Sequence, residues 1–189
     1  TALLQTLARP QRPTTLAFVN AHAMNSAVHD VRFCDGLMAA DHLLRDGSGM
    51  AFLYTAMRRA PGLNLNGTDL IPRLIAQFAQ SRIALFGTTE PYLSKAADTI
   101  RGAALAPDSS IVIEHGFHQA QHYLRLAQEH QPALIVLGMG MPKQEGVAQW
   151  LREHLEHPCV IVCGGAILDF LGGKVVRAPP IFRALGMEW

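Results

Sequence analysis

Long apolar runs are missing from this sequence. The longest candidates, "PALIVLGMGMP" and "PCVIVCGGAIL", have the length of a core strand plus a loop, short of the roughly 18 residues that a membrane-spanning helix needs. The first residues also lack the charged, apolar, small-residue order of a signal peptide. The expectation is a soluble protein, at most peripheral to a membrane. Charge is scarce as well: charged residues make up 16% and the net charge is +1, so there is no basic field to attract nucleic acid. Cysteine is limited to Cys34, Cys159 and Cys163, an odd number without CxxC spacing. That excludes a disulfide framework and reads as reduced thiols packed inside a cytosolic protein. Several catalytic signatures are absent too. There is no G-x-x-x-x-G-K-[ST] loop, no GxGxxG after the first strand and no Gly-x-Ser-x-Gly elbow. Nor is there an Asp-x-Asp pair of the kind that holds a divalent cation against a diphosphate.

What remains is a chain of 189 residues with 49% apolar content, long enough to bury roughly 70% of its unfolded surface in one domain spanning 1–189. Short β-branched runs alternate with helical patterns. Strands are expected at 15–20, 42–45, 82–87, 110–115, 133–138 and 159–164, and helices at about 50–60, 68–80, 91–104, 118–130 and 142–156. Pro91 and Pro142 stand at helix starts, where a missing N–H costs nothing. Strands that are apolar throughout need both sheet faces covered, which predicts an α/β, Rossmann-like fold. Its mainly parallel sheet has about six strands with helices on both faces.

Ligands of such folds gather at the carboxyl ends of the strands. The residues found there are Asn20-Ala21-His22, then Asp46-Gly47-Ser48-Gly49, then Gly87-Thr88-Thr89, then His115-Gly116-Phe117, then Gly138-Met139-Gly140-Met141-Pro142-Lys143-Gln144, with Glu145 next, and last Gly164-Gly165. Small or polar residues end all six strands. At "GMGMPKQE" the glycines let backbone approach a ligand, and the helix beyond opens with N–H groups suited to an anion. Lys143 adds a positive charge there, and Gln144 can donate and accept. An ordinary tight turn before a solvated helix fits the same residues. Asp46 has two readings as well, a general base or the opening of a turn and helix cap. In "NGTDLIPRL", Asp69 reads as part of a helix N-terminus with Thr68 as a candidate cap. Asp169 precedes a glycine turn and the cations Lys174 and Arg177, which could meet phosphate or lie on a surface turn.

"HGFHQAQH" places His118 and His122 four residues apart, with His115 off the helix. No carboxylate or cysteine nearby is read as completing a ligand set, so no metal site is expected.

Taken together, these blocks resemble the WecG/TagA/CpsF family of bacterial glycosyltransferases (glycosyltransferase family 26). "NAHAMN" (20–25) is similar to the family's first-strand Asn segment, and "AADHLLRDGSG" to its AD…DG-x-G block. "NGTDLIPRL" matches G-[TA]-D-L, "ALFGTTE" the third-strand glycine segment, "EHGF" the HGYF block and "GMGMPKQE" G-x-G-x-PKQE. "GGAILDFLGGKVVRAPPIFRALGMEW" follows GG-x-x-D-x-x-x-G-x-x-x-RAP…LGLEW. The resemblance runs in order from about residue 15 to the last residue.

The resemblance implies an inverting transfer of a sugar from a UDP-sugar to a polyprenyl-diphosphate-linked sugar. The reaction would serve cell-surface polysaccharide such as teichoic acid or exopolysaccharide, at the inner face of the membrane. The sugar would be of N-acetylmannosamine type, its uronic acid, or glucose. It implies Asp46 as the base and no cofactor beyond the donor. With no Asp-x-Asp pair, helix N-termini and cations would stabilise the leaving diphosphate without a metal. Asn20 would orient donor sugar or acceptor, and Gln144 would contact the donor. The other strand-end residues (Gly47, Gly49, Thr68, Asp69, Gly87, Gly138, Gly140, Lys143, Glu145, Gly164, Gly165, Asp169 and Arg177) would line the substrates. The chain departs from the family in starting close to the first Asn segment and in stopping at Trp189, where the family continues into an Arg-rich tail thought to meet the membrane. Phe18 stands where some members have Thr. Apolar helix faces left uncovered by a missing tail would suit a homo-oligomer. Two further readings compete, a non-catalytic UDP-sugar-binding or scaffold protein of a polysaccharide complex and an NAD-dependent oxidoreductase argued from fold alone.

Overall fold

The computed structural model describes residues 2–102 and 111–175. Within them, six parallel strands form one sheet: β1 (Thr14–Val19), β2 (His42–Arg45), β3 (Ile83–Gly87), β4 (Ile111–Glu114), β5 (Leu134–Gly138) and β6 (Val160–Cys163), in the order β2-β1-β6-β5-β3-β4. The helices are α1 (Ala2–Leu7), α2 (Ala21–His29), α3 (Val31–Met38), α4 (Ser48–Ala56), α5 (Gly67–Gln77), α6 (Tyr92–Gly102), α7 (Ala120–His130), α8 (Lys143–His154) and α9 (Ile167–Leu171). This is the expected α/β Rossmann-like sheet. The five expected helices are all present, and α1, α2, α3 and α9 are additions.

Side chains alternate along each strand, and the alternation divides the core into two layers. Leu16, Phe18, Leu85, Val136 and Val162 face α5, α6 and α9. Ala17, Val19, Phe86, Leu137 and Ile161 face α3, α7 and α8. The central strands β3, β5 and β6 are buried along their whole length, whereas β2 and β4 at the edges are half-buried. Each fully buried aliphatic side chain contributes roughly 1.5–3 kcal/mol, so the continuous apolar pattern of the inner strands is what holds the sheet between its helix layers.

The opposite end of the sheet is fastened electrostatically. The Asp41 carboxylate accepts from the Thr15 amide (2.9 Å), the Thr15 hydroxyl (3.0 Å), Arg152 Nε (3.0 Å) and Arg12 Nη2 (2.6 Å). It thereby ties the starts of β1 and β2 to the last turn of α8. Burial alone would raise the Asp41 pKa, but the Thr15 amide and the two arginines outweigh it and hold it at about 2, against an ordinary 3.8. A carboxyl depressed in the folded state contributes stability above its unfolded pKa and loses it as pH falls through the folded one. Asp41→Asn should therefore lower unfolding free energy by about 2 kcal/mol at neutral pH. In urea titrations the gap from the parent should close as pH falls from 3.8 toward about 2.

Candidate functional site

At the carboxyl end of β1, Asn20 caps α2, its Oδ1 accepting from the Ala23 amide at 2.9 Å. The neighbouring β2 exits alongside, because the Asp46 amide donates to the Val19 carbonyl at 2.9 Å. Asn20 and Asp46 are thus brought to one corner by the β1–β2 pairing, which matches Val19 with Arg45. The next residue, Gly47, takes φ +83, a conformation that disfavours any residue with a Cβ. Gly47 is itself the cap residue of α4, so Asp46 stands one position before the cap. The Gly47 amide donates to Asn64 Oδ1 (3.1 Å) and its carbonyl accepts from Arg45 Nη1 (2.9 Å). A Cβ on Gly49 would lie 3.4 Å from Ala21 Cβ, so the first turns of α2 and α4 are close neighbours.

The start of α5 differs from expectation in one respect. Its cap is Asn66, whose Oδ1 accepts from both the amide (2.8 Å) and the hydroxyl of Thr68. Thr68 is one turn position inside the helix, with Asp69 beside it in the first turn. The short polar side chain two residues earlier is the better acceptor for that geometry.

The outgoing helices α6 and α8 lie on opposite faces of the sheet, so the adjacent strands β3 and β5 flank a switch point of the kind where ligands gather. The glycines here fall into two groups. A Cβ on Gly87 would sit 2.2 Å from the Gly138 carbonyl oxygen, one on Gly138 2.7 Å from Leu168, and one on Gly164 2.6 Å from Ile167. These three are required by packing. Gly140 (φ +77) and Gly165 (φ +58) instead have open space where a Cβ would project, and these are where backbone can meet a ligand.

The polar residues of "PKQE" separate in the same way. Lys143 is exposed, but Gln144 and Glu145 are 1% and 2% exposed. Gln144 donates from Nε2 to Glu145 Oε1 (2.8 Å) and accepts at Oε1 from the Gly165 amide (2.9 Å). It fixes the turn after β6 from below. The helix N–H groups expected for an anion are partly engaged as well, since the Gln144 amide donates to the Gly140 carbonyl at 3.1 Å. Glu145 faces a cleft lined by Thr15, Ala17, Gly36 and Cys163, and its Oε2 has no hydrogen-bond partner. Burial pushes its pKa up to about 7 despite the bond from Gln144.

Thr88, which the sequence places in the Gly87-Thr88-Thr89 strand end without a task of its own, has a defined role in the structure. It is buried, with φ +40. Its amide donates to the Gly138 carbonyl (3.0 Å), its hydroxyl donates to Asp169 Oδ1, and its carbonyl accepts from the Gly116 amide (3.3 Å). Asp169 in turn pairs with Lys174 at 3.1 Å, so that cation is already matched. A threonine after a strand-end glycine carries no sequence signal of its positive φ or of its bond to Asp169. Arg177 lies outside the described residues.

Beyond β4 the expectation of an incomplete ligand set needs correcting. Glu114 completes it: its carboxylate lies 3.4 Å from His118 Nε2 and 3.1 Å from His122 Nε2. Glu114 stands immediately before the histidine run, as the last residue of β4, and the turn after the strand folds His118 back toward it. Burial would raise Glu114, but the hydrogen bond from His122, the His115 amide and the charge of the neighbouring imidazoles bring its pKa below the ordinary carboxylate value.

The sequence matches the glycosyl transferase WecG/TagA/CpsF family over residues 1–189. It is similar to enzymes named N-acetylglucosaminyldiphosphoundecaprenol N-acetyl-beta-D-mannosaminyltransferase from Staphylococcus aureus. With those of strains NCTC 8325 / PS 47 and COL it shares 25% identity over 177 residues, which cover 90% of this chain and 67% of the relative. The relative from strain MRSA252 has the same identity and coverage.

The buried Glu145 yields a test with a definite sign. Below its ordinary 4.5 the carboxyl is protonated in both folded and unfolded chains. Between that value and about 7 only the unfolded chain ionises, which drains stability, and above about 7 the loss is complete. Glu145→Gln should therefore leave the unfolding free energy near that of the parent at pH 4 and raise it by about 3 kcal/mol at pH 8, measured by chemical denaturation.

Proposed function

From membership in the WecG/TagA/CpsF family of glycosyl transferases, to which this chain belongs, we propose that it moves a sugar from a UDP-sugar onto a polyprenyl-diphosphate-linked sugar in the synthesis of bacterial cell-surface polysaccharide. The name of the relatives supports the acceptor class, since it specifies N-acetylglucosaminyldiphosphoundecaprenol, and it supports an N-acetylmannosamine-type donor. The uronic acid of that sugar and glucose are donors of the same shape class that the proposal also admits.

The observation that carries the reading is the corner formed by Asn20, Asp46 and Gly47. The Asp46 backbone is fixed to β1, and the chain beyond it turns through a positive-φ glycine into α4. Asp46 is the base. It accepts the proton of the acceptor hydroxyl while that oxygen forms a bond to the anomeric carbon. The bond from that carbon to the donor phosphate oxygen breaks, and its electron pair leaves with UDP. Attack opposite the leaving group inverts the anomeric centre, and the β-linkage in the relatives' name fits that outcome. The open backbone at Gly140 and the exposed Lys143, beyond β5, are three strand spacings from β2, roughly 14 Å, and Gly165, beyond β6, is two, roughly 10 Å. A donor lying along the carboxyl edge would place its diphosphate there and its sugar toward Asp46. Lys143 then meets the charge that develops on the leaving group, without requiring a metal.

The lipid part of the acceptor has a matching surface next to the base. Phe52 and Leu63 are each 77% exposed and Met57 is 60% exposed, on α4 and the loop that follows it. No helix among the described residues is long and apolar enough to cross a membrane. We place the protein at the inner face of the plasma membrane, with this apolar surface toward the lipid.

Asp46→Asn tests the base. The variant should keep its far-UV circular dichroism and its affinity for UDP, while transfer from UDP-N-acetylmannosamine to a lipid-diphosphate-linked N-acetylglucosamine falls about 10²-fold or more. Turnover near the parent's rate would remove Asp46 from this role.

A further inference from the structure

The turn after β4 holds a side-chain cluster that the sugar-transfer reading does not use. We propose that Glu114, His118 and His122 form a binding site for a single zinc-class divalent cation. The ligand atoms of all three lie within 4.8 Å of one another. Each carboxylate oxygen faces a different imidazole, Oε1 at 3.4 Å from His118 Nε2 and Oε2 at 3.1 Å from His122 Nε2. Donors on a four-coordinate zinc with bonds near 2.0–2.1 Å are about 3.3 Å apart, and both carboxylate–imidazole distances are close to that spacing. Two imidazoles and one carboxylate, with a coordination position left over, is a recognised zinc set, and imidazole nitrogen favours zinc, copper, iron and nickel over magnesium or calcium.

The cluster is held by the fold and is not a chance meeting of surface side chains. Tyr123, fully buried, donates its hydroxyl to the His115 carbonyl (2.8 Å) and accepts from the His118 amide (3.0 Å). Its ring packs on Phe86 with centroids 5.1 Å apart. One phenol therefore sets the turn that carries His118, while the first turn of α7 carries His122. The imidazoles of His118 and His122 stack with centroids 3.9 Å apart, which directs both Nε2 atoms to the same carboxylate. Glu114, His118 and His122 are 23%, 37% and 24% exposed, so a cation reaches them without opening the core.

A hydrogen-bonded cluster with no metal-binding capacity is the competing account, and Arg125 separates the two. Its Nη2 lies 3.1 Å from His122 Nδ1. A guanidinium only donates, so that nitrogen accepts and the ring proton sits on Nε2, pointing at Glu114. A cation on Nε2 displaces this proton and requires Nδ1 to become the donor, which Arg125 opposes. Ligating histidines ordinarily donate that second nitrogen to an acceptor. Replacing the exposed Arg125 by Gln supplies such an acceptor and leaves all three ligands in place.

The test is titration of the full chain with Co²⁺, read by the intense visible absorption of a four-coordinate site, followed by displacement with Zn²⁺. One cobalt per chain is expected. Glu114→Gln, His118→Ala and His122→Ala should each weaken binding about 100-fold or more, since losing even an outer partner of a metal ligand costs 10–100-fold. His154→Ala, on α8 away from the cluster, should bind as the parent does, and Arg125→Gln should bind more tightly. Absence of saturable binding in the parent overturns the proposal. So does absorption that survives His122→Ala, or binding lost in Arg125→Gln. Because the readout is spectroscopic, its failure would leave the sugar-transfer reading standing, and failure of Asp46→Asn would leave this one standing.

Discussion

The carboxyl edge of the sheet depends on one close approach, that of the Gly87 and Gly138 backbones at the ends of β3 and β5. With 2.2 Å between a virtual Gly87 Cβ and the Gly138 oxygen, no other residue fits without moving a strand. Because the two backbones meet, the Thr88 amide can reach the Gly138 carbonyl, and the Thr88 hydroxyl is then aimed at Asp169. The same bare surface admits Leu168 of α9 against Gly138, and Gly116 against Gly87, where a Cβ would lie 3.1 Å away. The turn of β4, the switch point and α9 are thus positioned by one absence of side chains. Overpacking at such a point typically costs 1–3 kcal/mol, and here the disturbance would reach elements on both faces of the sheet.

The sheet itself was legible because buried parallel strands must be apolar on both faces, a pattern that no surface segment imitates. The helices between β1 and β2 were not. Only Ala23 of α2 is buried, while Val28 and Val31 are 76% and 71% exposed, so the periodic stripe that reveals a helix is blurred there. What does specify α2 and α3 is capping, by Asn20 and Asp30, whose side chains accept from amides three residues on. Helix α9 was hidden for another reason. Five residues make little more than one turn, too few to show a period, and it is held by packing: the Gly172 position lies against the Tyr92 carbonyl of α6.

The strand-end residues were legible as a set, but their individual tasks were not. A polar residue at a helix start can face a ligand or hold the backbone that does, and the sequence is the same in both cases. Gln144 belongs to the second kind, for its amide spans Glu145 and the Gly165 turn within the core. Asn20 and Asn66 likewise spend a side-chain oxygen on capping. The burial of Gln144 follows from helical geometry. Lys143 and Gln144 are about 100° apart around α8, so when one faces solvent the other faces β6.

The same division governs where this chain keeps its few charges. An isolated buried ion is prohibitively costly, and the interior of this protein avoids it by different means at each place. Asp41 is matched by two arginines, while burial weakens the acidity of Glu145. Ionic side chains at the carboxyl edge stand near the rim, among them Asp46 beyond β2, Lys143 at the opening of α8, Asp169 paired with Lys174, and Glu114 with its imidazoles beyond β4. The backbone around them is pinned from inside by groups with no exposed chemistry of their own. Buried Gln144 and Tyr123 fix their turns by hydrogen bonds, and the Val19 carbonyl holds the Asp46 amide. The backbone positions of the polar groups at this edge are therefore set by the neutral core, and the charges they carry stay at its rim.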